Sequence, residues 1–583
     1  MLSGKRLCSA ILLLWAAWAG FAADPAFRIG PLDEAGRDWV EKTLAKMSLE
    51  EKVGQLLIPS FSARSIRPGS KSFPAFLESV RRFRPGGLHL SAGNLRDIVP
   101  TLNRLQKASP LPLLITADLE GGTGFRFPGA TRIPRAMAIG AGGDPEQARQ
   151  AGLITAREAR PLGIHVDFYP VADVNNNPHN PIINIRSFGE DPEAVKEMVC
   201  SYVRGLQENG MIAVVKHFPG HGNTSTDSHL ELPVIRSTRE ELQKVELTPF
   251  RAAMEAGVIG VMAGHLEVPA LEPQKGLPAT LSAAILTGLL RQEIGFRGLV
   301  FTDALSMGGL ADVSLPRELF TRAFLAGADM LLAPQKTVHA YQDLLESARQ
   351  GRIPADRLNA SVRRILEAKA RLGLARNPPA DPAFAAALPT KKSHQAQAQQ
   401  MMENAITLVK DERHSLPLRL ARSARILHLR LLDTMNWRPR PGALFARELL
   451  KRQVNTRVME LGKQAAPLAF RKAEQAVKTS DAILVSVFIR VTSSKGSVEL
   501  SPEQIGLLKN LSAGKKPFVL VVFGSPYLLN AVPELPCYMA AFEYYPEAEK
   551  IAAKAVFGEI PLRGRLPVSL GEKYPVGTGI RRP

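Results

Sequence analysis

Short apolar runs alternate with stretches of helical periodicity through the first two-thirds of the chain. The runs fall at 53–61, 86–91, 111–120, 165–174, 211–218, 258–266, 298–306 and 330–334. Within them AVV, VIGVM and LVF are continuously apolar, as expected of strands covered on both faces in a parallel sheet. Between them DPEAVKEMVCSYVRGLQENG (191–210) and TREELQKVELTPFRAAMEAG (238–257) read as helices, the second stopped by glycine. Ser48 and Glu51 form a capping-box pattern ahead of the first run. Eight strands alternating with helices predict an α/β chain built on a (β/α)8 TIM-type barrel over residues 24–374. A doubly wound open sheet is the alternative, but no GxGxxG follows a strand, which weakens its dinucleotide-binding form.

From 375 to 400 the periodicity fades and Pro, Ala and Gln accumulate, the mark of a linker or wrapped connection. Beyond it RILHLRLL, DAILVSVFI and PFVLVVFG alternate with helical segments, predicting a smaller C-terminal α/β domain over 401–583. The length, 583 residues, agrees with two domains.

The first 23 residues differ from everything after them. Lys5 and Arg6 precede a short apolar stretch that ends in small residues before Asp24 and Pro25. That order is a secretory signal cleaved after Ala22 or Ala23 and implies export to the periplasm or the exterior. An uncleaved anchor is the competing reading, although the run is short for a span of roughly 20 residues. Cys8 comes too early to be a lipoprotein's acylated cysteine, and no later run is long enough to cross a membrane. Cys200 and Cys537 would remain in the mature chain, too few for a disulfide framework. The formal charge of +19 fits an anionic surface or wall polymer, or simply a soluble basic protein. With no dense basic run and only 6% aromatics, nucleic acid is not an expected partner.

Candidate chemistry gathers at the C-terminal ends of the predicted barrel strands. Asp118 and Glu120 end the third, Asp173 the fourth, Lys216 and His217 the fifth, His265 the sixth and Asp303 the seventh. That rim is where βα loops converge on a substrate. The segment KHFPGHGNTSTDSH (216–229) then brings three of the 11 histidines into fourteen positions. A zinc site would accept His217, His221, His229 and Asp227 by type, but the spacing is not HExxH and the loop is rich in small residues, so no metal is expected. Acid–base work is the other reading. Asp227 stands two residues from His229, close enough to orient its imidazole, and Asp303 ends an apolar strand as a carboxylate nucleophile would. No GxSxG elbow points to a serine hydrolase.

On these residues the chain resembles family 3 glycoside hydrolases, in their β-N-acetylglucosaminidase (β-N-acetylhexosaminidase) branch. The matching segments are KHFPGHGNTSTDSHLELP, DLEGG with Arg126, IRSFGEDP, VMAGH and FTDALSM, in family order; ITLVKD, VVFGSPY and AVFGEIPLRGRLPVSL extend the likeness into the C-terminal domain. The resemblance implies a retaining hydrolase releasing terminal N-acetylglucosamine from cell-wall or chitin fragments, with a glycan as its partner and no cofactor. By position it makes Asp303 the nucleophile and the His229–Asp227 pair the acid/base. Asp118, Arg126, Arg186, Lys216 and His217 become ligands of the terminal sugar. Other branches place a glutamate of the second domain as the acid; Glu499 is the only candidate for that here, and a surface loop is the plainer reading. Thr123 stands where the family often has arginine after EGG. A β-glucosidase or β-xylosidase, a phosphate-dependent phosphorylase and an inactive wall-binding protein stay open as alternatives, and the sequence does not set the oligomeric state.

Overall fold

The computed structural model describes residues 29–308, 318–334, 336–376, 379–434, 440–492, 495 and 499–583. The expected signal segment lies outside them. Nine short strands build the first half: β1 (Leu57–Ile58), β2 (Ser60–Ser62), β3 (Gly87–Ala92), β4 (Leu114–Ala117), β5 (Val166–Asp167), β6 (Ile212–Phe218), β7 (Gly260–Ala263), β8 (Leu299–Thr302) and β9 (Leu331–Leu332). β2 to β8 form one seven-stranded sheet in sequence order, parallel throughout, and β9 pairs with β1. Pro59 separates β1 from β2, so this first stave reaches β9 with one half and β3 with the other. A parallel bridge between Phe301 and Met330 joins β8 to the segment leading into β9. The sheet therefore curls as a TIM-type domain does, and the expected α/β class holds.

The physical reason is visible in the strands. β4, β6, β7 and β8 are buried at every position, which suits staves with side chains inside the barrel and helices outside. Helix Pro192–Gln207 starts on Asp191, whose carboxylate accepts from Ala194 N–H, and turns Val195, Val199, Val203 and Leu206 inward at helical spacing.

Two boundaries differ from the sequence pattern. Residues 53–55 belong to helix Leu49–Gln55, whose Ser48–Glu51 capping box is present as expected. The stretch 238–257 splits into helices Arg239–Lys244 and Leu247–Glu255, with Gly257 at φ 82° as the stop. Periodicity alone does not register a break between two amphipathic turns that face the same core.

The stretch read as a linker is also largely helical, through Pro382–Ala387 and Lys392–Ala405. Ala and Gln favour helix intrinsically, and the second helix buries Ala398, Met401, Met402 and Ala405. It leads into a six-stranded mixed sheet of β10 (Thr407–Asp411), β11 (Ile426–Leu432), β12 (Thr456–Gly462), β13 (Ala482–Ile489), β14 (Phe518–Gly524) and β15 (Cys537–Ala540). Its order is β10-β15-β14-β13-β11-β12, with β10 alone antiparallel to its neighbour. This sheet has its own apolar core, which also takes in Met137, Ala138, Ala141 and Ile185 from the first half of the chain. Polar ties join the two units. Asn175 donates to the Tyr527 hydroxyl at 2.7 Å, and the Glu190 carboxylate accepts from Ser569 N–H at 2.9 Å.

Candidate active site

A cavity of about 470 Å³ opens at the C-terminal ends of the barrel strands. Asp118, Arg126, Arg186, Lys216, His217, His229 and Asp303 all line it. Asp227 does not, because its fully buried side chain stands behind His229.

Each side chain arrives there for a local reason. Asp118 follows the all-buried LITA of β4, and Asp303 follows the all-buried LVFT of β8, so each carboxylate emerges where its stave ends. Lys216 and His217 are consecutive, and consecutive residues of a regular strand point to opposite faces. Here the β6–β7 register shifts between Lys216 and Phe218, and both side chains reach the cavity.

The cations and carboxylates interlock. Lys216 Nζ lies 2.8 Å from Asp118 Oδ1 and 2.9 Å from Glu120 Oε1. Arg186 grips Glu120 with two parallel hydrogen bonds of 2.9 and 2.8 Å, the bidentate geometry that suits a guanidinium. Arg126 donates from Nε to the Asp118 carbonyl at 3.0 Å. Burial works to raise the Asp118 and Glu120 carboxyls, but Lys216 beside the first and Arg186 with Lys216 beside the second hold both well below the usual range. For Lys216 the balance is reversed. Burial disfavours its charge, the two carboxylates outweigh burial, and its value ends above the ordinary one.

Asp173 is fully buried and accepts three hydrogen bonds: from the His217 ring (2.7 Å), His217 N–H (3.0 Å) and His221 N–H (2.7 Å). It therefore aims the His217 imidazole and pins the start of the following loop. Asp303 Oδ1 accepts from Ala304 N–H at 2.7 Å. Burial raises the Asp303 carboxyl, yet His217 and His265 with Lys216 beyond them bring it below its ordinary value, so it is ionised at neutral pH. His229 Nδ1 stands 3.0 Å from Asp227 Oδ1, which also accepts His229 N–H at 2.9 Å. The same carboxylate oxygen thus fixes both backbone and ring, and the other edge of the half-buried ring is left to the cavity. Among the described residues no group of three or more His, Cys, Asp and Glu side chains is arranged to hold a metal ion.

Several lining residues lie outside the set that the sequence pattern singles out. Glu120, at a strand end in the sequence, is the counter-ion that sets Arg186 and Lys216. His89, in β3, lies 3.5 Å from Asp118 and stacks on Phe168, and burial lowers it to about 4, which keeps it neutral. Its position near the end of GGLHLS was the available signal. Phe125 and Arg135 complete one wall, with the Arg126, Arg132 and Arg135 guanidiniums 4.7, 4.5 and 5.5 Å from the Phe125 ring centre. From the second domain come Val491 and Thr492. Glu499 does not reach this cavity; it lines a separate one with Pro178, His179 and Tyr527. Thr123 is buried, its hydroxyl donating to the Thr155 carbonyl, and does not line the cavity.

A barrel rim that sets an ionised carboxylate and a carboxylate-held imidazole around one cationic cavity large enough for a sugar is the site of a carbohydrate-processing enzyme. Known proteins agree. The model of the glycosyl hydrolase family 3 N terminal domain matches residues 48–368. A beta-N-acetylglucosaminidase/beta-glucosidase of Cellulomonas fimi is 33% identical over 554 residues, 92% of this chain and 96% of its own. The solved structure of a glycoside hydrolase family 3 beta-N-acetylglucosaminidase from Paenibacillus sp. str. FPU-7 aligns with a TM-score of 0.80 at 30% identity. That alignment covers 90% of this chain and 99% of the other. The beta-glucoside phosphorylase BglX bound to 2FGlc aligns with a TM-score of 0.82 at 28% identity, over 93% and 97% of the two chains. The chain belongs to glycoside hydrolase family 3, and it is a glycoside hydrolase acting on glycans.

Proposed function

We propose that this protein is an exported, retaining β-N-acetylhexosaminidase that removes terminal non-reducing N-acetylglucosamine from cell-wall or chitin-derived fragments. The observation that carries the reading is the shared cavity, where ionised Asp303 meets an imidazole held from behind by buried Asp227. The names of the Cellulomonas and Paenibacillus relatives support the N-acetylated sugar, and residues 1–23 support export.

In this mechanism a carboxylate oxygen of Asp303 attacks the anomeric carbon. The glycosidic C–O bond breaks, and its electron pair stays on the leaving oxygen, which takes the proton from His229 Nε2. A covalent glycosyl ester on Asp303 results. Water then attacks the same carbon, His229 Nε2 takes the water's proton, and Asp303 departs as carboxylate with the configuration retained. Asp227 keeps the Nδ1 proton directed at itself and so leaves Nε2 for both transfers. Asp118, Arg126, Arg186, Lys216 and His217 hold the sugar hydroxyls, with a geometry fixed by their mutual ion pairs before substrate arrives.

One second reading has a specific observation behind it. The cavity is cationic and its acid/base is an imidazole rather than a second carboxylate, so an anionic acceptor such as phosphate meets little repulsion there, and one structural neighbour is named a phosphorylase. The test is product analysis with 4-nitrophenyl N-acetyl-β-glucosaminide and the matching glucoside, in phosphate and in an inert buffer, with and without chelator. Chelator-resistant release of free N-acetylglucosamine in both buffers is the expected result. A sugar 1-phosphate formed only in phosphate would replace hydrolysis by phosphorolysis, and turnover of the glucoside alone would move the specificity.

A further inference from the structure

The fourteen-residue segment that holds Lys216, His217, Asp227 and His229 contains a third histidine to which the mechanism above gives no work. His221 is almost fully buried and does not line the catalytic cavity. Its backbone N–H donates to Asp173 Oδ1 at 2.7 Å, beside the two hydrogen bonds by which the same carboxylate holds His217. Its ring packs edge-on against the His217 ring, with centres 5.7 Å apart. On its far side, Nε2 lies 3.1 Å from the hydroxyl of Ser228, the residue between Asp227 and His229. Nδ1 is buried without a hydrogen-bond partner. A buried polar atom left unmatched works against stability, and burial lowers the ring to about 4, so it is a neutral imidazole.

The backbone around it is tightly held. Asn180 donates from Nδ2 to the His221 and Gly222 carbonyls at 3.0 and 2.8 Å, and a Cβ on Gly222 would stand 1.6 Å from the Val174 carbonyl oxygen. The segment from 217 to 222 is therefore a fixed base. The base reaches Ser228, six residues further on, through the His221 side chain.

We propose that His221 is the positioning residue of the acid/base segment: anchored at Asp173, it holds Ser228 and thereby sets Asp227 and His229 against the bond to be broken. Asp173 then aligns both halves of the site, the sugar-gripping His217 through its ring and the His229–Asp227 pair through His221. This inference rests on the assignment of His229 as the acid.

The test compares 4-nitrophenyl N-acetyl-β-glucosaminide, whose leaving group needs little protonation, with the methyl glycoside, whose leaving group needs it fully. His221→Leu and Ser228→Ala should each lower kcat/KM, which reports glycosylation alone, on the methyl glycoside roughly 10- to 100-fold, the scale of a misplaced catalytic group. On the nitrophenyl glycoside the loss of kcat/KM should stay within about fivefold, because protonation contributes little to glycosylation there. The double variant should lose no more than the worse single one, as two ends of one contact do. His221→Gln, whose amide can reach the Ser228 hydroxyl, should recover most of the loss. Ser228→Ala leaves the buried ring in place, so it carries the test if His221→Leu does not fold. Equal losses of kcat/KM on both substrates, additive losses or no recovery with Gln would overturn the proposal. His229→Ala, run in parallel, separates the two failures: without leaving-group dependence in that variant the acid assignment itself falls.

Discussion

The barrel buries two ionic clusters, one at each end, and they do different work. At the rim, Asp118, Glu120, Lys216 and Arg186 alternate in sign around a cavity. Near the opposite, N-terminal end, Asp329 is fully buried and gathers Arg291 (2.6 Å), Arg364 (3.1 Å) and Arg357 (3.5 Å), with Ser361 and Val300 N–H also donating to it. Asp329 has the denser set of partners, yet it does not line the catalytic cavity. Its donors come from the helix ending at Glu293, from β8 and from helix Ala355–Arg371, so it ties staves and helices together. Buried charge by itself does not mark a site. What distinguishes the rim is that its charges fix one another and still present polar edges to open space.

The sharpest way to break that contrast is at the carboxylates themselves. Asp303→Asn keeps the shape and can still accept from Ala304 N–H, so the chain should fold, while turnover of the nitrophenyl glycoside should fall by about 10⁴-fold or more for want of a nucleophile. A variant with wild-type kinetics would move the nucleophile elsewhere. Asp329→Asn should do the reverse. Three guanidiniums would lose the carboxylate they share, and denaturant unfolding should show a loss of about 3–5 kcal/mol, with kcat of the folded fraction within about twofold of the parent. A stable Asp329→Asn variant with impaired chemistry would erase the distinction between the two ends.

The smallest effect is on pH dependence. Asp118, Glu120, Asp173 and Asp303 all lie below their ordinary values in the folded chain despite burial, because of the cations and imidazoles beside them. A folded value below the unfolded one favours the fold above the unfolded value, and that contribution disappears as pH falls through the folded value. Stability from these groups should therefore hold from neutrality to about pH 5 and decline below about pH 4, where unfolded carboxyls take up protons. Glu120→Gln should make the acid decline shallower in denaturant titrations at stepped pH. An unaltered slope would mean that Glu120 is not held ionised by Arg186 and Lys216.

Much of this was legible in the chain. The strand ends gave Asp118, Lys216, His217 and Asp303 as rim residues, and DSH gave a carboxylate two residues from an imidazole, which the fold keeps at 3.0 Å. Other features left no local trace. The Ala- and Gln-rich stretch after 375 reads as a linker or wrapped connection because its helix buries only a narrow face. Arg135, Val491 and Thr492 leave no local signal, since Arg135 N–H meets Glu543 across 408 positions and Val491 and Thr492 reach the cavity only once the second domain has docked. Nor does any motif separate Asp329, gripped by three guanidiniums, from Asp303, which lines the cavity.

The sequence by itself determined what acts over a few residues: strand and helix pattern, caps, the Asp227–His229 spacing and the chemical types at the ends of the staves. Only the tertiary structure decided which charges neutralise which, because Arg186 and Glu120 are 66 positions apart and Lys216 and Asp118 are 98 apart. Which groups stay ionised is set by the balance of lost water and gained partners, and that balance exists only after barrel closure has brought distant staves side by side.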